Sequence, residues 1–267
     1  MTNDSGIVKA AFIQAASYPG DVGKNGIKAG EMIKKACDDG AELVVLPELF
    51  NVGYDLSILK QLMYNFNDEI RFYSNLASSL KIYIVCGMLE DENGRLYNSL
   101  VVLNKEGEIT AKYRKNNLFP LSYESKVFTR GKEPVIFKMP GFSFGLAICY
   151  DIRFPELFRI YADKGCNAII VASAFPFPRL EHWLTLLKAQ AILNQVYIVA
   201  CNRVGRDNDF WFVGNSCIID PWGSVLCSMD ETEEGFRVTS LVSERVDEIR
   251  SSMPALDDRQ KQYKIRF

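Results

Sequence analysis

The chain has 267 residues, 48% of them apolar, which suffices to bury a sizeable core as one large domain spanning 1–267. A formal net charge of −2 gives no support to nucleic acid or an anionic membrane as partner. No apolar run approaches the roughly 20 residues of a membrane-spanning helix, and no basic stretch leads into an apolar one near Met1, so no signal peptide is expected.

Ile7 to Gln14 reads as a first strand and Leu43 to Leu46 as a second, both rich in aliphatic and β-branched residues. Between them Ala29, Met32, Ile33, Ala36 and Cys37 recur at helical spacing, with Gly40 placed to stop the helix. A strand–helix–strand unit of this kind normally makes a parallel crossover, and ligands gather at the carboxyl ends of such strands. The second strand ends at Pro47-Glu48; taken alone, Glu48 is equally well an exposed turn residue.

Residues 55–80 suggest a helical stretch, followed by a strand at Ile82 to Cys86. Ser99 to Leu103 and Ile109 to Tyr113 read as a hairpin joined across Asn104-Lys105-Glu106-Gly107. Lys115 comes directly after; by composition it is one member of a solvated basic cluster with Lys112 and Arg114. Phe142 to Cys149 is a buried strand, Pro155 to Lys164 a helix with proline in its first turn, and Ala168 to Ala172 a strand. A thiol where a strand meets a helix N-terminus is well placed for activation, since backbone N–H groups and the helix dipole favour thiolate. The competing reading of Cys149 is a small core residue.

Leu180, Leu184, Leu187 and Ala191 mark one face of a helix ending near Gln195, and Val196 to Cys201 is another strand. Val213 to Ile219, a turn at Asp220-Pro221-Trp222-Gly223, Val225 to Cys227, a strand near Phe236 to Leu241 and a short helix from Glu244 complete the chain. Strands alternating with helices, without linker or repeat, give the α/β class. Seven cysteines with no CxxC spacing argue against zinc and disulfide frameworks and for a reducing cytoplasm.

Three separated stretches belong together. Leu43-Val44-Val45-Leu46-Pro47-Glu48-Leu49-Phe50 places an acid after a buried strand. Lys112-Tyr113-Arg114-Lys115, with Glu124 beyond, places a lysine after a Tyr-Arg pair. Cys149-Tyr150-Asp151-Ile152-Arg153-Phe154-Pro155-Glu156 places a cysteine at the end of a strand. In this order, and with Asn194-Gln195-Val196-Tyr197, Gly214-Asn215-Ser216 and Asp220-Pro221-Trp222-Gly223 downstream, the chain resembles the nitrilase superfamily of carbon–nitrogen hydrolases over nearly its whole length. The resemblance implies a four-layer α-β-β-α sandwich. It also implies Glu48 as general base, Lys115 as stabiliser of the intermediate, Cys149 as nucleophile and Glu124 as the second glutamate that orients lysine and substrate.

A cysteine nucleophile usually relies on histidine, but His182 is the only histidine here, so a Cys–His enzyme would have to use it. The carboxylate route fits better, needs no metal or organic cofactor, and offers the Tyr150 backbone N–H as a second oxyanion donor. Phe50, Tyr54, Tyr150, Phe175 and Trp183 are candidates for an apolar pocket wall. Arg153 either pairs with a substrate carboxylate or forms a structural ion pair with Asp151 or Glu156; Arg179 and Arg203 are the next candidates for such an anchor. The chain departs from the common pattern at Asn117, where many relatives have histidine, and at Gln190 and Leu193, where Arg and Glu are frequent. The resemblance is strongest to omega-amidase-type members, which hydrolyse monoamides of dicarboxylic acids. N-carbamoyl amino acid hydrolysis is the enzymatic alternative, and a non-catalytic binding protein the alternative of another class. Partners are then a small amide substrate and further copies of the chain, since family members associate and Tyr263-Lys264-Ile265-Arg266-Phe267 is an apolar end suited to a homodimer or larger oligomer.

Overall fold

The computed structural model describes residues 6–207 and 210–260. Strand β1 (Ile7–Gln14) leads through helix α1 (Val22–Asp38) to β2 (Leu43–Val45), and the two strands pair in parallel as the spacing predicts. Asp21 caps α1 by accepting the Lys24 N–H at 3.0 Å. Helix α2 covers only Phe66–Leu80, shorter than the expected stretch from residue 55. The Asn65 side chain fixes its start by accepting the N–H groups of Asn67 and Asp68, and the residues before it form turns. Strands β3 (Tyr83–Glu92), β4 (Arg95–Leu103) and β5 (Ile109–Arg114) form an antiparallel meander. Its second hairpin lies where the sequence puts it. The first turns at Asn93-Gly94, both with positive φ, a pairing whose turn signal the sequence reading passes over.

A one-turn helix α3 (Glu124–Val127) precedes β6 (Ile136–Met139) and β7 (Phe142–Ile148). After a short 3-10 turn at Cys149–Arg153 come α4 (Pro155–Asp163), β8 (Ala168–Ser173), α5 (Leu180–Asn194) and β9 (Tyr197–Asn202). The stretch 213–219 is not one strand. It divides between a hairpin, β10 (Val204–Asp207) with β11 (Phe210–Val213), and β12 (Cys217–Ile219), because Gly214 and Asn215 both adopt left-handed backbone. Asp220 organises the expected turn into β13 (Val225–Ser228) by accepting the N–H groups of Trp222 and Ser224. β14 (Gly235–Val242) and α6 (Ser243–Ser252) follow.

Two six-stranded sheets result, ordered β14-β1-β2-β3-β4-β5 and β13-β12-β9-β8-β7-β6. Side chains alternate across each strand, so Ala10 and Phe12 of β1 pack with Leu146, Val171 and Val199 of the second sheet. Ala11 and Ile13 turn the other way, onto Ala29 and Ile33 of α1 and Tyr73 and Ala77 of α2. Phe158 and Tyr161 of α4 and Trp183 and Leu187 of α5 join the core from the second sheet's side. The layering is helix, sheet, sheet, helix: an α/β sandwich of four layers.

Three chain exits meet at one end of this sandwich: those of β2, β5 and β7. The exit from β2 crosses directly over β3 at Gly87. A Cβ on that residue would lie 1.9 Å from the Pro47 carbonyl oxygen and 2.8 Å from Glu48 Cα, so only glycine lets the Pro47-Glu48 turn sit where it does. The two sheets touch here, with the buried Cys201 thiol of β9 donating to the carbonyls of Ile13 and Val45 at 3.0 and 3.3 Å.

Candidate active site

Glu48, Lys115 and Glu124 come from three separate segments and are all buried. The Lys115 ammonium donates to Glu48 Oε1 and to Glu124 Oε1, each at 2.7 Å. Glu48 is gripped further by Asn98 Nδ2 on the same oxygen at 2.7 Å and by the Ala174 N–H on Oε2 at 2.7 Å. Asn98 also accepts the Lys115 backbone N–H through its carbonyl, at 2.8 Å. Glu124 Oε2 accepts the Phe119 N–H at 2.7 Å, and its Oε1 also accepts the Tyr54 hydroxyl at 2.5 Å. Burial alone drives the Lys115 pKa down, but Glu124 and Glu48 outweigh it and hold the ammonium well above the ordinary lysine range. Burial pushes the Glu124 carboxyl up against the pull of Lys115, and the charge of Glu48 adds to that push.

Cys149 sits at the end of β7 with φ at 46°, in the left-handed region where a non-glycine residue is strained by about 1–3 kcal/mol. Its neighbour in the electrostatic sense is the same triad. Burial raises the thiol's pKa strongly, Glu48 and, less, Glu124 raise it further, and Lys115 and the Ser173 hydroxyl only partly offset this. The expectation that a helix N-terminus favours thiolate is therefore corrected. The helix proper begins only at Pro155, after a 3-10 turn that Cys149 itself opens, and burial dominates, so the resting group is a protonated thiol. A protonated thiol, a carboxylate and an ammonium buried together can deprotonate sulfur and stabilise an oxyanion.

The proposed wall divides. Tyr54 reaches Glu124 as described, and its backbone N–H donates to Asp207 Oδ2 at 2.8 Å. Half-buried Tyr150 packs on Phe119 and Phe154, with centroids 5.2 and 5.3 Å apart. Phe175 contacts Trp183 at 5.3 Å; Trp183 itself is a core residue whose indole donates to the Asn215 carbonyl at 2.9 Å. Phe50 is not with them. It packs on the helix-facing side of the first sheet, among Ile13, Ala29 and Met88, because the left-handed Leu49 turns the chain between Glu48 and Phe50.

Arg153 lies 5.9 Å from the Tyr150 ring centre and 5.7 Å from that of Phe175. Among the described residues it forms no ion pair with Asp151 or Glu156, which corrects the structural alternative. Asp151 is buried on Tyr113, Ile148 and Asn117 instead. Arg153 Nη2 meets His182 Nδ1 at 3.0 Å; guanidinium can only donate, so Nδ1 accepts, and the lone histidine is exposed and engaged with Arg153. Arg203 is buried against Asp207 and unavailable as an anchor, whereas Arg179 lies over the Phe119 ring at 5.4 Å. Gln190 ties α5 to the Cys149 turn by donating to the Ile152 carbonyl at 3.1 Å. Asn98 and Ser173 are absent from the sequence reading. Their signal was a polar side chain inside an otherwise apolar strand, and both prove fully buried.

Among the described residues no group of three His, Cys, Asp or Glu side chains is placed to share a metal ion, and no helix is long and apolar enough to cross a membrane. The chain is 38% identical over 242 residues to a 2-oxoglutaramate amidase of Bacillus subtilis (strain 168), covering 88% of this chain and 91% of the relative. It is 33% identical over 254 residues to an omega-amidase of Homo sapiens, covering 91% and 90%. In structure it resembles a carbon-nitrogen hydrolase from Helicobacter pylori G27, with a TM-score of 0.90, 27% identity and 97% of each chain covered. It also resembles a Saccharomyces cerevisiae member of branch 10 of the nitrilase superfamily, with a TM-score of 0.86, 30% identity and 96% and 97% covered. A family model described as carbon-nitrogen hydrolase matches residues 9–251. With the fold, the buried acid–lysine–acid group and this match in agreement, the chain belongs to the carbon-nitrogen hydrolase family.

Proposed function

We propose that the protein is an omega-amidase, hydrolysing a monoamide of a dicarboxylic acid to the acid and ammonia, with Cys149, Glu48, Lys115 and Glu124 as its catalytic group. The observation that carries the reading is the buried Lys115 ammonium bridging Glu48 and Glu124 at 2.7 Å each, beside a protonated Cys149 thiol. The two amidase relatives support the substrate class. Glu48 takes the thiol proton as sulfur attacks the amide carbon. The oxyanion is held by the Lys115 ammonium and the Tyr150 N–H. The C–N bond then breaks, Glu48 returns the proton to the leaving ammonia, and a thioester remains. Water, deprotonated by Glu48, attacks the thioester and releases the acid, and the proton passes back to sulfur. No metal or organic cofactor enters these steps.

Arg153, without a carboxylate partner among the described residues and resting over Tyr150 and Phe175, is the group suited to anchor the substrate's distal carboxylate by its planar fork. A neutral amide of equal length forgoes that contact, which costs about 2–4 kcal/mol in transition-state binding. The test is kcat/KM for succinamate and glutaramate against butyramide, in wild type and Arg153→Ala. A wild type without preference for the charged amides defeats the omega-amidase reading. A preference that survives in Arg153→Ala moves the anchor to Arg179.

The seven cysteines are all free thiols, which supports a reducing cytoplasm as the working compartment. Self-association is part of the same reading. The terminal segment that suggested it lies outside the described residues, but Ile160, Leu184, Ile192, Leu193 and Trp222 expose apolar surface on α4, α5 and the β12–β13 turn. Light scattering that returns a monomer at micromolar concentration would count against a homodimer.

A further inference from the structure

Asp151 is fully buried two residues beyond Cys149, and four donors converge on its carboxylate. Oδ2 accepts the Tyr113 hydroxyl at 2.7 Å and the Ile148 N–H at 2.8 Å. Oδ1 accepts the Asn117 backbone N–H at 3.0 Å and its Nδ2 at 2.9 Å. The Tyr113 oxygen in turn accepts the Asn116 N–H at 3.3 Å, which leaves its own proton for Asp151. A neutral acid would have to aim its O–H into one of these donors, so the set suits a carboxylate. Burial opposes this by raising the group's pKa, while the Ile148, Tyr113 and Asn117 donors and the charge of Lys115 work to keep it ionised.

The donors come from both sheets. Tyr113 belongs to β5 and Asn117 lies two residues past Lys115, on the segment that delivers the ammonium. Ile148 ends β7, and Asp151 itself sits in the turn that holds Cys149 at its left-handed φ. One carboxylate thus ties the lysine-bearing segment of the first sheet to the cysteine-bearing turn of the second. Hydrogen bonds fix such a separation more narrowly than apolar packing does, because they weaken steeply with angle and distance.

We propose that Asp151 is a positioning residue for the hydrolysis, with Asn117 as its donor across the gap between the sheets, and that this clamp sets the separation of the Cys149 sulfur from the Lys115 ammonium. The proposal rests on the roles assigned above to Cys149 and Lys115. Misplacement of reacting groups by about 1 Å can cost a hundredfold in rate, so a partial loosening is visible in turnover before it is visible in folding.

The experiment compares wild type, Asn117→Ala, Asn117→His and Asp151→Asn by steady-state hydrolysis of glutaramate, by melting temperature, and by the rate at which 2-chloroacetamide alkylates each cysteine, mapped by mass spectrometry. Asn117→Ala should lower kcat about tenfold with KM within about twofold, and slow Cys149 alkylation in parallel, while the protein melts close to wild type. Asn117→His offers Nδ1–H where Asn117 offers Nδ2 and should recover most of both rates. Asp151→Asn turns an amide N–H toward donors and should lose more than Asn117→Ala; if it does not fold, the Asn117 pair decides. A folded Asn117→Ala with unchanged kcat and unchanged Cys149 alkylation overturns the clamp. So do losses that follow the melting temperature and are not recovered in Asn117→His, since those mark a merely structural role. If wild-type Cys149 alkylates no faster than the other six cysteines and no amide is turned over, the nucleophile assignment fails, and the clamp falls with it.

Discussion

At the scale of single residues, the resting protonation of Cys149 decides which partner it needs. A buried thiol raised by its own desolvation and by Glu48 cannot attack until a nearby base removes its proton, and Glu48 is gripped by Asn98, Ala174 and Lys115 in one orientation. His182 has no comparable place, being exposed and engaged with Arg153. Cys149→Ala should therefore abolish turnover with little change in melting temperature, while His182→Ala should leave kcat within about threefold. Ammonia release by the two purified variants checks both, and a His182→Ala loss as deep as that of Cys149→Ala would restore the Cys–His alternative. Glu48, Lys115 and Cys149 are legible as candidates in the sequence because each comes at or just past the end of a strand within a short recognisable stretch, and Glu124 only through the family resemblance. Asn98, Ser173 and Asp151 are not, because their roles exist only once strands from distant segments are in register. Asn98 faces Lys115 through the β4–β5 pairing, and no local pattern carries that register. Phe50 shows the converse error: two residues from Glu48 in sequence, it faces the opposite side of the sheet.

At the scale of elements, the site depends on three strand exits being brought to one end, and each exit has its own device. β7 ends in a strained residue and a 3-10 turn, β5 continues into the Asp151 donors, and β2 passes over Gly87. β1, β7, β8 and β9 are plain in the sequence as apolar runs because they are buried on both faces, and α1 and α5 show a helical spacing of apolar residues. The β10–β11 hairpin and the shortened α2 were harder to read. Their limits are set by side-chain caps and left-handed residues rather than by apolar spacing. Gly87→Ala tests the third device. The added methyl cannot coexist with the Pro47 carbonyl, so the turn must move and carry Glu48 away from Asn98 and the Ala174 N–H. The expected cost is about 1–3 kcal/mol in stability, measured by urea unfolding, with a loss of kcat larger than that stability change explains. A variant as stable and as active as wild type would show that the crossing is looser than described.

At the scale of the whole molecule, the sandwich buries several thiols and phenols in its core, and this shapes its response to pH. Burial is the largest cause holding the pKa of Cys86, Cys149 and Cys201 above the ordinary thiol value of 9.0, and that of Tyr54, Tyr73 and Tyr113 above the ordinary phenol value of 10.0. Cys217 is likewise pushed up to about 12 by burial. Well below pH 9 these groups are protonated whether the chain is folded or not, and they contribute little to pH dependence. Above it the unfolded chain releases protons that the folded chain retains, so the unfolded state gains and stability falls as pH rises. Lys115 acts in the same direction, because its folded pKa also lies above the unfolded value and its charge pairing is lost as pH climbs through it. Each such group removes up to about 1.4 kcal/mol per pH unit once the pH exceeds its unfolded value. A domain of ordinary stability, about 5–15 kcal/mol, cannot absorb several of these together. The melting temperature should therefore hold roughly level from pH 7 to 8.5 and drop steeply between pH 9 and 10.5, with the free thiols becoming reactive to Ellman's reagent over the same interval. A level melting temperature across pH 9 to 10.5 would mean that the buried thiols and phenols titrate in place, and that the two sheets are less tightly sealed against water than their side-chain burial indicates.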